Sequence, residues 1–445
     1  ALPISIQMND LKQAEALLTR ATGVEPHTVA AHLELGRVRM ELGRLVGALA
    51  SYDKAINIDQ GLAEAHFRRG LALQFLQRPE DAILSYDRAI ALKPTYCEAH
   101  FHRGNTLAAI GRLNEALLSF NQAVELYPTF PSAYYNRGNA LIALKRFNEA
   151  LADFDRALEL RPDYAHAHNN RGTVLMALGR PYDALASFDQ AIGRARGLAE
   201  AHHNRGNALR ACGRLDEALA SYRHAIELKP HYPEALNNIG TALADFSRLD
   251  DALESYNLAI QQDPRASSTY VNRGNALKDL GRVDEAFASY EQAMKLDNNC
   301  HFLYGAWLHT KMRLCDWDGA ADRIAELSSK VRRGELASSP FPVITLIGTE
   351  DVQLAAAELW VTTRYPPSVH YPASRRHGRS RRVRLGYYSS DFRDHATTFL
   401  MAGMFEHHDR SRFELIAFSF GPATNDTMRR RVAAAFDQFI DVCTK

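Results

Sequence analysis

Residues 136–157 read NRGNALIALKRFNEALADFDRA, and the key positions of this stretch recur along the chain every 34 residues. Each of eight copies has a glycine, an alanine twelve residues later, an aromatic ring four residues after that, and a second alanine three further on. A fixed period of this length predicts a solenoid of stacked helical repeats. The recurring glycines are Gly36, Gly70, Gly104, Gly138, Gly172, Gly206, Gly240 and Gly274.

The residue types indicate two packed helices in each repeat. A glycine inside a helix costs about 0.5–1 kcal/mol relative to alanine, so its recurrence implies close packing that recovers more than this cost. We expect the glycine of the first helix, helix A, to face the alanine twelve residues later in the second helix, helix B. Glycines such as Gly111 stand where helix A should end, and prolines such as Pro94 fall between repeats.

This pattern resembles the tetratricopeptide repeat and predicts a mainly α, superhelical solenoid with a concave groove. The predicted domain limits are a partial repeat at 1–28, eight repeats at 29–300, a degraded ninth repeat with a helical cap at 301–365, a basic linker at 366–382, and part of an α/β domain at 383–445.

The composition limits the possible partners and the compartment. The 53 Lys and Arg residues nearly balance the 52 Asp and Glu residues, so no overall charge favours nucleic acid or a membrane surface. The five cysteines are widely spaced and lack zinc-site spacing, which favours a reducing compartment and no bound metal. No apolar run is long enough to span a bilayer. We therefore expect a cytoplasmic protein with no nucleic-acid and no membrane partner.

A column of asparagines stands two residues before the repeat glycine in the last five repeats. Asparagine is a poor residue inside a helix, but its amide can both donate to and accept from a peptide backbone. Rungs about 8–10 Å apart would meet roughly every third residue of an extended chain. The column consists of Asn136, Asn170, Asn204, Asn238 and Asn272.

Two interpretations of this column remain open from the residues alone. It could be a groove that binds extended protein or peptide substrates with little sequence preference, or a solvated polar face that the repeat has copied. Histidines also recur, at 32, 66, 100, 168 and 202. Ligands one repeat apart cannot meet at one ion with bonds of about 2 Å, so these histidines are interpreted as structural.

From Val383 the pattern changes to alternating strands and helices, which predicts the opening of a doubly wound α/β domain. Two or three strands cannot form a well-covered parallel sheet, so we expect the chain to stop within that domain. The predicted elements are a strand at 383–388, a turn at 389–395, a helix from 397, a strand at 413–420, a helix at 426–435 and a strand at 439–442.

Several segments after the repeats resemble the O-linked N-acetylglucosamine transferases and the related plant Spindly-type O-fucosyltransferases. The matching residues are Leu314-Cys315-Asp316-Trp317, the run VRLGYYSSDF at 383–392, His395, and Arg412-Phe413-Glu414. The resemblance implies a two-lobed, GT-B-like glycosyltransferase domain. It also implies that the asparagine column holds protein substrates and that His395 lies in the active site, as a base or a positioning residue.

The same resemblance implies a nucleotide-sugar donor, UDP-GlcNAc or GDP-fucose, bound mainly by a lobe after Lys445. This chain would then be a fragment that is inactive alone and has no cofactor-binding residue of its own. The residues around His395 depart from the animal pattern, with Arg393 and Asp394 before it and Phe399 where histidine is usual. The alternative function is a non-catalytic scaffold whose repeats bind partner proteins.

Overall fold

The computed structural model describes residues 2–364, 382–421 and 424–442, with side chains from Asp10 onward. The chain divides into two compact units, Ala1–Pro366 and Pro367–Lys445, which are described separately. Most of the proposed basic linker, including the arginine-rich run at 375–381, and also Cys443 lie outside the described residues.

The first unit is a helical solenoid, as the period predicts. Helix α1 (Leu2–Val24) precedes eight pairs of helices that follow the A and B pattern. The pairs are α2 (Val29–Glu41) with α3 (Leu45–Ile58), α4 (Ala63–Phe75) with α5 (Pro79–Leu92), α6 (Cys97–Ala109) with α7 (Leu113–Leu126), α8 (Pro131–Ala143) with α9 (Phe147–Leu160), α10 (Ala165–Ala177) with α11 (Pro181–Arg194), α12 (Ala199–Ala211) with α13 (Leu215–Leu228), α14 (Pro233–Asp245) with α15 (Leu249–Gln262), and α16 (Ser267–Asp279) with α17 (Val283–Leu296).

The repeat glycine makes room for the aromatic ring of helix B. The sequence pattern had predicted that it would face the alanine twelve residues later. A Cβ atom built on Gly172 would lie 2.5 Å from Cε1 of Phe188, and its three nearest atoms all belong to that ring. The same holds in every repeat from Gly36 to Gly274, at 2.4–2.9 Å. Both repeat alanines of helix B are fully buried as well. The ring needs the closer approach because it is the larger group.

Each helix A ends two residues before a position with positive φ. This position recurs every 34 residues, with φ between 58° and 80°, the left-handed conformation that closes a helix and favours glycine. Five repeats have the expected glycine there, and three have another residue. The residues are Gly43, Gln77, Gly111, Lys145, Gly179, Gly213, Ser247 and Gly281.

Charged side chains join neighbouring repeats. Arg171 donates from Nε to Asp155 of the preceding repeat and from Nη1 to Ser187 of its own helix B, both at 2.6 Å. Arg69, Arg103 and Arg205 make the equivalent bonds. The arginine eight residues after the repeat glycine pairs with an acid three residues later in seven repeats, as its spacing predicts.

A ninth helix pair follows, with altered packing residues. Cys315 keeps the positive φ, at 58°, but Leu308 replaces the repeat glycine and Ile324 replaces the ring, so both members of the close contact change together. A short helix begins within the segment 337–342 that follows this pair. The elements are α18 (Leu303–Arg313), α19 (Ala320–Arg332), α20 (Pro340–Leu346) and α21 (Glu350–Arg364).

The second unit contains a parallel three-stranded sheet in the order β1-β2-β3. Leu385 of β1 aligns with Leu415 of β2, and Ala417 of β2 aligns with Phe439 of β3. The buried core under this sheet includes Phe392 and Phe436. The elements, which follow the predicted order, are β1 (Val383–Ser389), α22 (Ala396–Glu406), β2 (Phe413–Ser419), α23 (Thr427–Ala434) and β3 (Gln438–Asp441).

Candidate protein-binding face and active-site segment

The five asparagines of the column lie on helix A of consecutive repeats, half-buried. We call this set, Asn136, Asn170, Asn204, Asn238 and Asn272, the asparagine face. In each of them the side-chain Nδ2 donates to Oδ1 of an asparagine in the preceding repeat, at 2.7–3.0 Å. The amides therefore hydrogen-bond each repeat to the one before it, a role that the sequence pattern did not predict.

The asparagine that accepts these bonds occupies one of two positions in its repeat. In three repeats it stands one residue after the glycine, as Asn105, Asn139 and Asn207. Where threonine replaces it, as at Thr173 and Thr241, the acceptor is Asn169 or Asn237, four residues earlier on the same helix. Positions four apart share one face of a helix, so the acceptor stays within reach of the next repeat.

The residue before each asparagine divides the asparagine face into two kinds of rung. Asn170 and Asn238 each donate two hydrogen bonds and accept one from the neighbouring Asn169 or Asn237. Within the described part of the chain, Oδ1 of Asn136, Asn204 and Asn272 accepts no hydrogen bond from the protein. These three carbonyls, two repeats apart, are therefore available to an N–H donor of a bound chain.

Histidines contribute to the solenoid in two ways. The five recurring histidines each place Nε2 2.9–3.3 Å from the backbone oxygen of the residue six positions earlier, a contact consistent with a structural role. His203 instead lies beside the asparagine face, where its Nε2 is 2.8 Å from Nδ2 of Asn238. Burial lowers the pKa of His203 to about 4, so at neutral pH Nε2 can accept this bond.

His395 begins helix α22 in the second unit. Its Nδ1 accepts a hydrogen bond of 3.3 Å from the backbone N–H of Thr397 and lies 3.8 Å from Oδ2 of Asp391. An Nδ1 that accepts a bond carries no proton, so the neutral ring bears its proton on Nε2. With 41% of its side chain exposed, the ring presents a donor to solvent in this arrangement. Action as a base would require the other tautomer, with Nδ1–H directed towards Asp391.

A buried arginine fixes the loop that carries His395. Arg429 of α23 donates from Nη1 to the backbone oxygen of Phe392 and to Oγ of Ser419, both at 3.2 Å, and pairs through Nη2 with Asp441. These contacts join the loop after β1 to the ends of β2 and β3. The role of Arg429 was not predictable because nothing in the sequence distinguishes it from Arg430 and Arg431.

The described residues contain neither a metal-binding cluster nor a membrane-spanning helix. Across 2–364, 382–421 and 424–442, no group of three His, Cys, Asp or Glu side chains could hold a metal ion. No helix in the same ranges combines the length and apolar character needed to cross a bilayer.

The repeated helix pairs and their residue pattern define a tetratricopeptide-repeat protein. Tetratricopeptide-repeat models match residues 36–77, 104–145 and 206–245, as well as 131–164, 267–300 and 63–96. The model of glycosyl transferase family 41 matches residues 354–445. The chain thus joins tetratricopeptide repeats to a segment that matches the model of glycosyl transferase family 41, as the resemblance of the 383–392 run implied.

Similarity to individual proteins covers parts of the chain. The chain is 30% identical over 151 residues to an Arabidopsis thaliana protein named as a probable UDP-N-acetylglucosamine–peptide N-acetylglucosaminyltransferase, SEC. This match covers 30% of the chain and 15% of that relative. Among solved structures, YrrB, a tetratricopeptide-repeat protein with an unusual peptide-binding site, is 28% identical, with 40% of this chain and 92% of YrrB covered and a TM-score of 0.36. MamA is 26% identical, with 38% and 92% covered and the same score.

Proposed function

We propose that this chain is the protein-binding arm and the beginning of the catalytic domain of a protein O-glycosyltransferase. The enzyme would move a sugar from a nucleotide-sugar donor to Ser or Thr hydroxyls of proteins held along the asparagine face. The observation that carries the proposal is the joining of this face, within one chain, to a segment that matches glycosyl transferase family 41. UDP-GlcNAc is the proposed donor because of the similarity to the Arabidopsis thaliana relative.

The geometry of the asparagine face supports binding through the backbone of an extended substrate. Peptide N–H groups can donate to the available Oδ1 atoms of Asn136, Asn204 and Asn272. Two helix spacings separate neighbouring carbonyls, roughly 16–20 Å, which an extended chain spans in about five or six residues. Contacts to the backbone would accept many sequences, which suits an enzyme with many protein substrates.

His395 is the proposed active-site residue of the second unit. Transfer to a hydroxyl requires a proton acceptor and stabilisation of the departing diphosphate. The exposed Nε2–H of His395 suits positioning of the donor or acceptor, while the tautomer with Nδ1–H towards Asp391 would suit proton removal. The resemblance implies that the lysine that stabilises the diphosphate belongs to the nucleotide-binding lobe after Lys445.

The second candidate function, a non-catalytic scaffold, has support from one observation. All five amides of the asparagine face already bond to the preceding repeat, which is the arrangement expected of a structural column. A scaffold would bind partner proteins elsewhere on the solenoid and would leave His395 without a chemical role.

A combined binding and transfer experiment tests the proposal. Residues 1–445 would be mixed with an unstructured peptide rich in Ser and Thr, and then with UDP-GlcNAc or GDP-fucose, while anisotropy and peptide mass are recorded. We expect binding without transfer by these residues alone, and transfer by the protein as its gene encodes it, abolished by His395→Ala. Absence of binding would contradict the substrate arm, and transfer unaffected by His395→Ala would contradict the role of that residue.

A further inference from the structure

A cavity of about 740 Å³ lies in the first unit where the asparagine face ends. Its size falls within the range of ligand-binding pockets in proteins. Helix α16 contributes the last rung of the asparagine face to its wall, and helices α18, α20 and α21, with the residues that precede α18 and α20, contribute the rest. The lining residues that matter for its chemistry are Asn272, Asn275, Phe302, His309, Phe341 and Trp360.

Aromatic rings form the apolar part of the wall. Phe302 packs edge-on against Trp360 with centroids 4.8 Å apart, and His309 packs edge-on against Phe341 at 5.6 Å. Phe341 remains 65% exposed, although a large apolar side chain gains free energy from burial. Phe302 holds its ring there with a φ of 64°, a strained conformation for a bulky residue. The cavity therefore offers an uncovered aromatic surface to a ligand.

The charges around these rings are mainly positive. Lys278, Arg313 and Arg364 line the cavity, whereas the one acid in the lining, Asp279, lies 3.6 Å from Nζ of Lys278. Within the described ranges Arg313 has no hydrogen-bond or ion-pair partner, and the guanidinium of Arg364 stacks 4.9 Å from the Trp360 ring. Burial, together with Arg313 and Lys278, lowers the pKa of His309. An anionic ligand would relieve this excess of positive charge.

We propose that the cavity binds an acidic segment of a protein chain that carries one aromatic or large apolar side chain. The apolar side chain would cover Phe341 and Trp360, and the flanking carboxylates would pair with Arg313 and Lys278. Asn272 belongs both to the asparagine face and to the cavity wall, so one extended chain can occupy both. The joint occupation of both sites by one chain rests on the proposed function. The cavity would add a sequence preference to the asparagine face, which otherwise contacts the backbone of the bound chain.

Two fluorescein-labelled peptides test the proposal on residues 1–445. Each has about twelve residues, enough to extend roughly 40 Å. The first ends in Asp-Asp-Phe-Asp, and the second replaces these with Asn-Asn-Ser-Asn. We expect the acidic peptide to bind roughly tenfold more tightly, with a smaller advantage at high salt because its carboxylates face screened cations.

Variants assign this difference to the cavity. Phe341→Ala and Arg313→Gln should each remove most of the advantage and leave binding of the neutral peptide unchanged. Ile344→Ala is the matched control, since Ile344 lies on the same helix, is 58% exposed and is outside the cavity lining. Equal affinities for the two peptides, or an advantage that persists in both variants, would overturn the proposal. Asn204→Ala reports separately on the asparagine face through the neutral peptide.

Discussion

Asn204 donates a hydrogen bond of 3.0 Å from its side-chain Nδ2 to Oδ1 of Asn169, one repeat earlier along the solenoid. Asn169 is 1% exposed, whereas Asn204 is half-buried and keeps an available carbonyl oxygen. The bond thus joins a residue that can only stabilise the stack to one that can also contact a bound chain. This pair separates the structural role of the asparagine face from its proposed role in binding.

Removal of the buried acceptor should weaken the contact between repeats. Asn169→Ala leaves the Nδ2 of Asn204 without its partner, and we expect a loss of about 1–2 kcal/mol in the free energy of unfolding. Adding Thr173→Asn restores an acceptor at the position used in other repeats, so the double variant should recover part of the loss. Urea unfolding measures both. No recovery in the double variant would contradict the interchange of the two acceptor positions.

The contact between glycine and ring should make Gly172 intolerant of even a methyl group. In Gly172→Ala the new Cβ would lie 2.5 Å from Phe188, and we expect a loss of about 1–3 kcal/mol from overpacking. Gly193→Ala is the matched control, because a Cβ there would meet nothing within 4 Å, and it should stabilise the helix by about 0.5–1 kcal/mol. Similar effects of the two substitutions on thermal unfolding would refute the ring contact as the reason for the glycine.

Lys145 should be replaceable by glycine with a gain in stability. Its φ of 59° places a side chain in the left-handed conformation, which costs about 1–2 kcal/mol per residue. We expect Lys145→Gly to raise the free energy of unfolding by roughly 0.5–1 kcal/mol after the entropy of glycine in the unfolded chain is included. Gly179→Lys, the reverse change in the next repeat, should lower it. Thermal denaturation of both variants checks the opposite signs.

Acid should destabilise the solenoid partly through His203. Its pKa is about 4 in the folded protein and about 6.5 in the unfolded chain, so the stability that depends on neutral His203 is present above pH ~6.5 and is lost as the pH falls towards 4. The expected loss is about 3 kcal/mol. His203→Gln should reduce this pH dependence, while His231→Gln, at an exposed position, should not. Unchanged pH profiles of urea unfolding in His203→Gln would contradict the assignment.

The period of 34 residues sufficed to predict the helix pairs and their turns, because each repeat packs only against its neighbours. The partner of each glycine was not predictable in the same way, since the alanine and the ring recur with equal regularity and only the coordinates show which is closer. The acceptor role of Asn169 was not predictable from one repeat alone, because its hydrogen bond joins two repeats. The sequence does contain a sign of this role. Where the residue after the repeat glycine is threonine, as at Thr173, an asparagine such as Asn169 stands four residues earlier; in the other repeats of the column that residue is itself asparagine.

In the second unit, the order of strands and helices followed from the alternation of residue types. His395 drew attention only through resemblance, because a single loop histidine carries no pattern of its own. The cavity beside Asn272 was not predictable, since much of its wall comes from α18, α20 and α21, where the period fades. Phe341 and Trp360 look like ordinary core residues in the sequence, and only their exposure and neighbours suggest a binding surface.

The most direct test of the central claim, that the asparagine face binds extended protein substrates, compares Asn204→Ala with Asn169→Ala. Both variants break the same hydrogen bond between repeats, but only Asn204→Ala removes a carbonyl that a peptide can reach. The measurement is the Kd of residues 1–445 for the neutral peptide. We predict a rise of roughly fivefold to tenfold for Asn204→Ala and little change for Asn169→Ala. Equal affinities of both variants and the unmodified chain would contradict the claim.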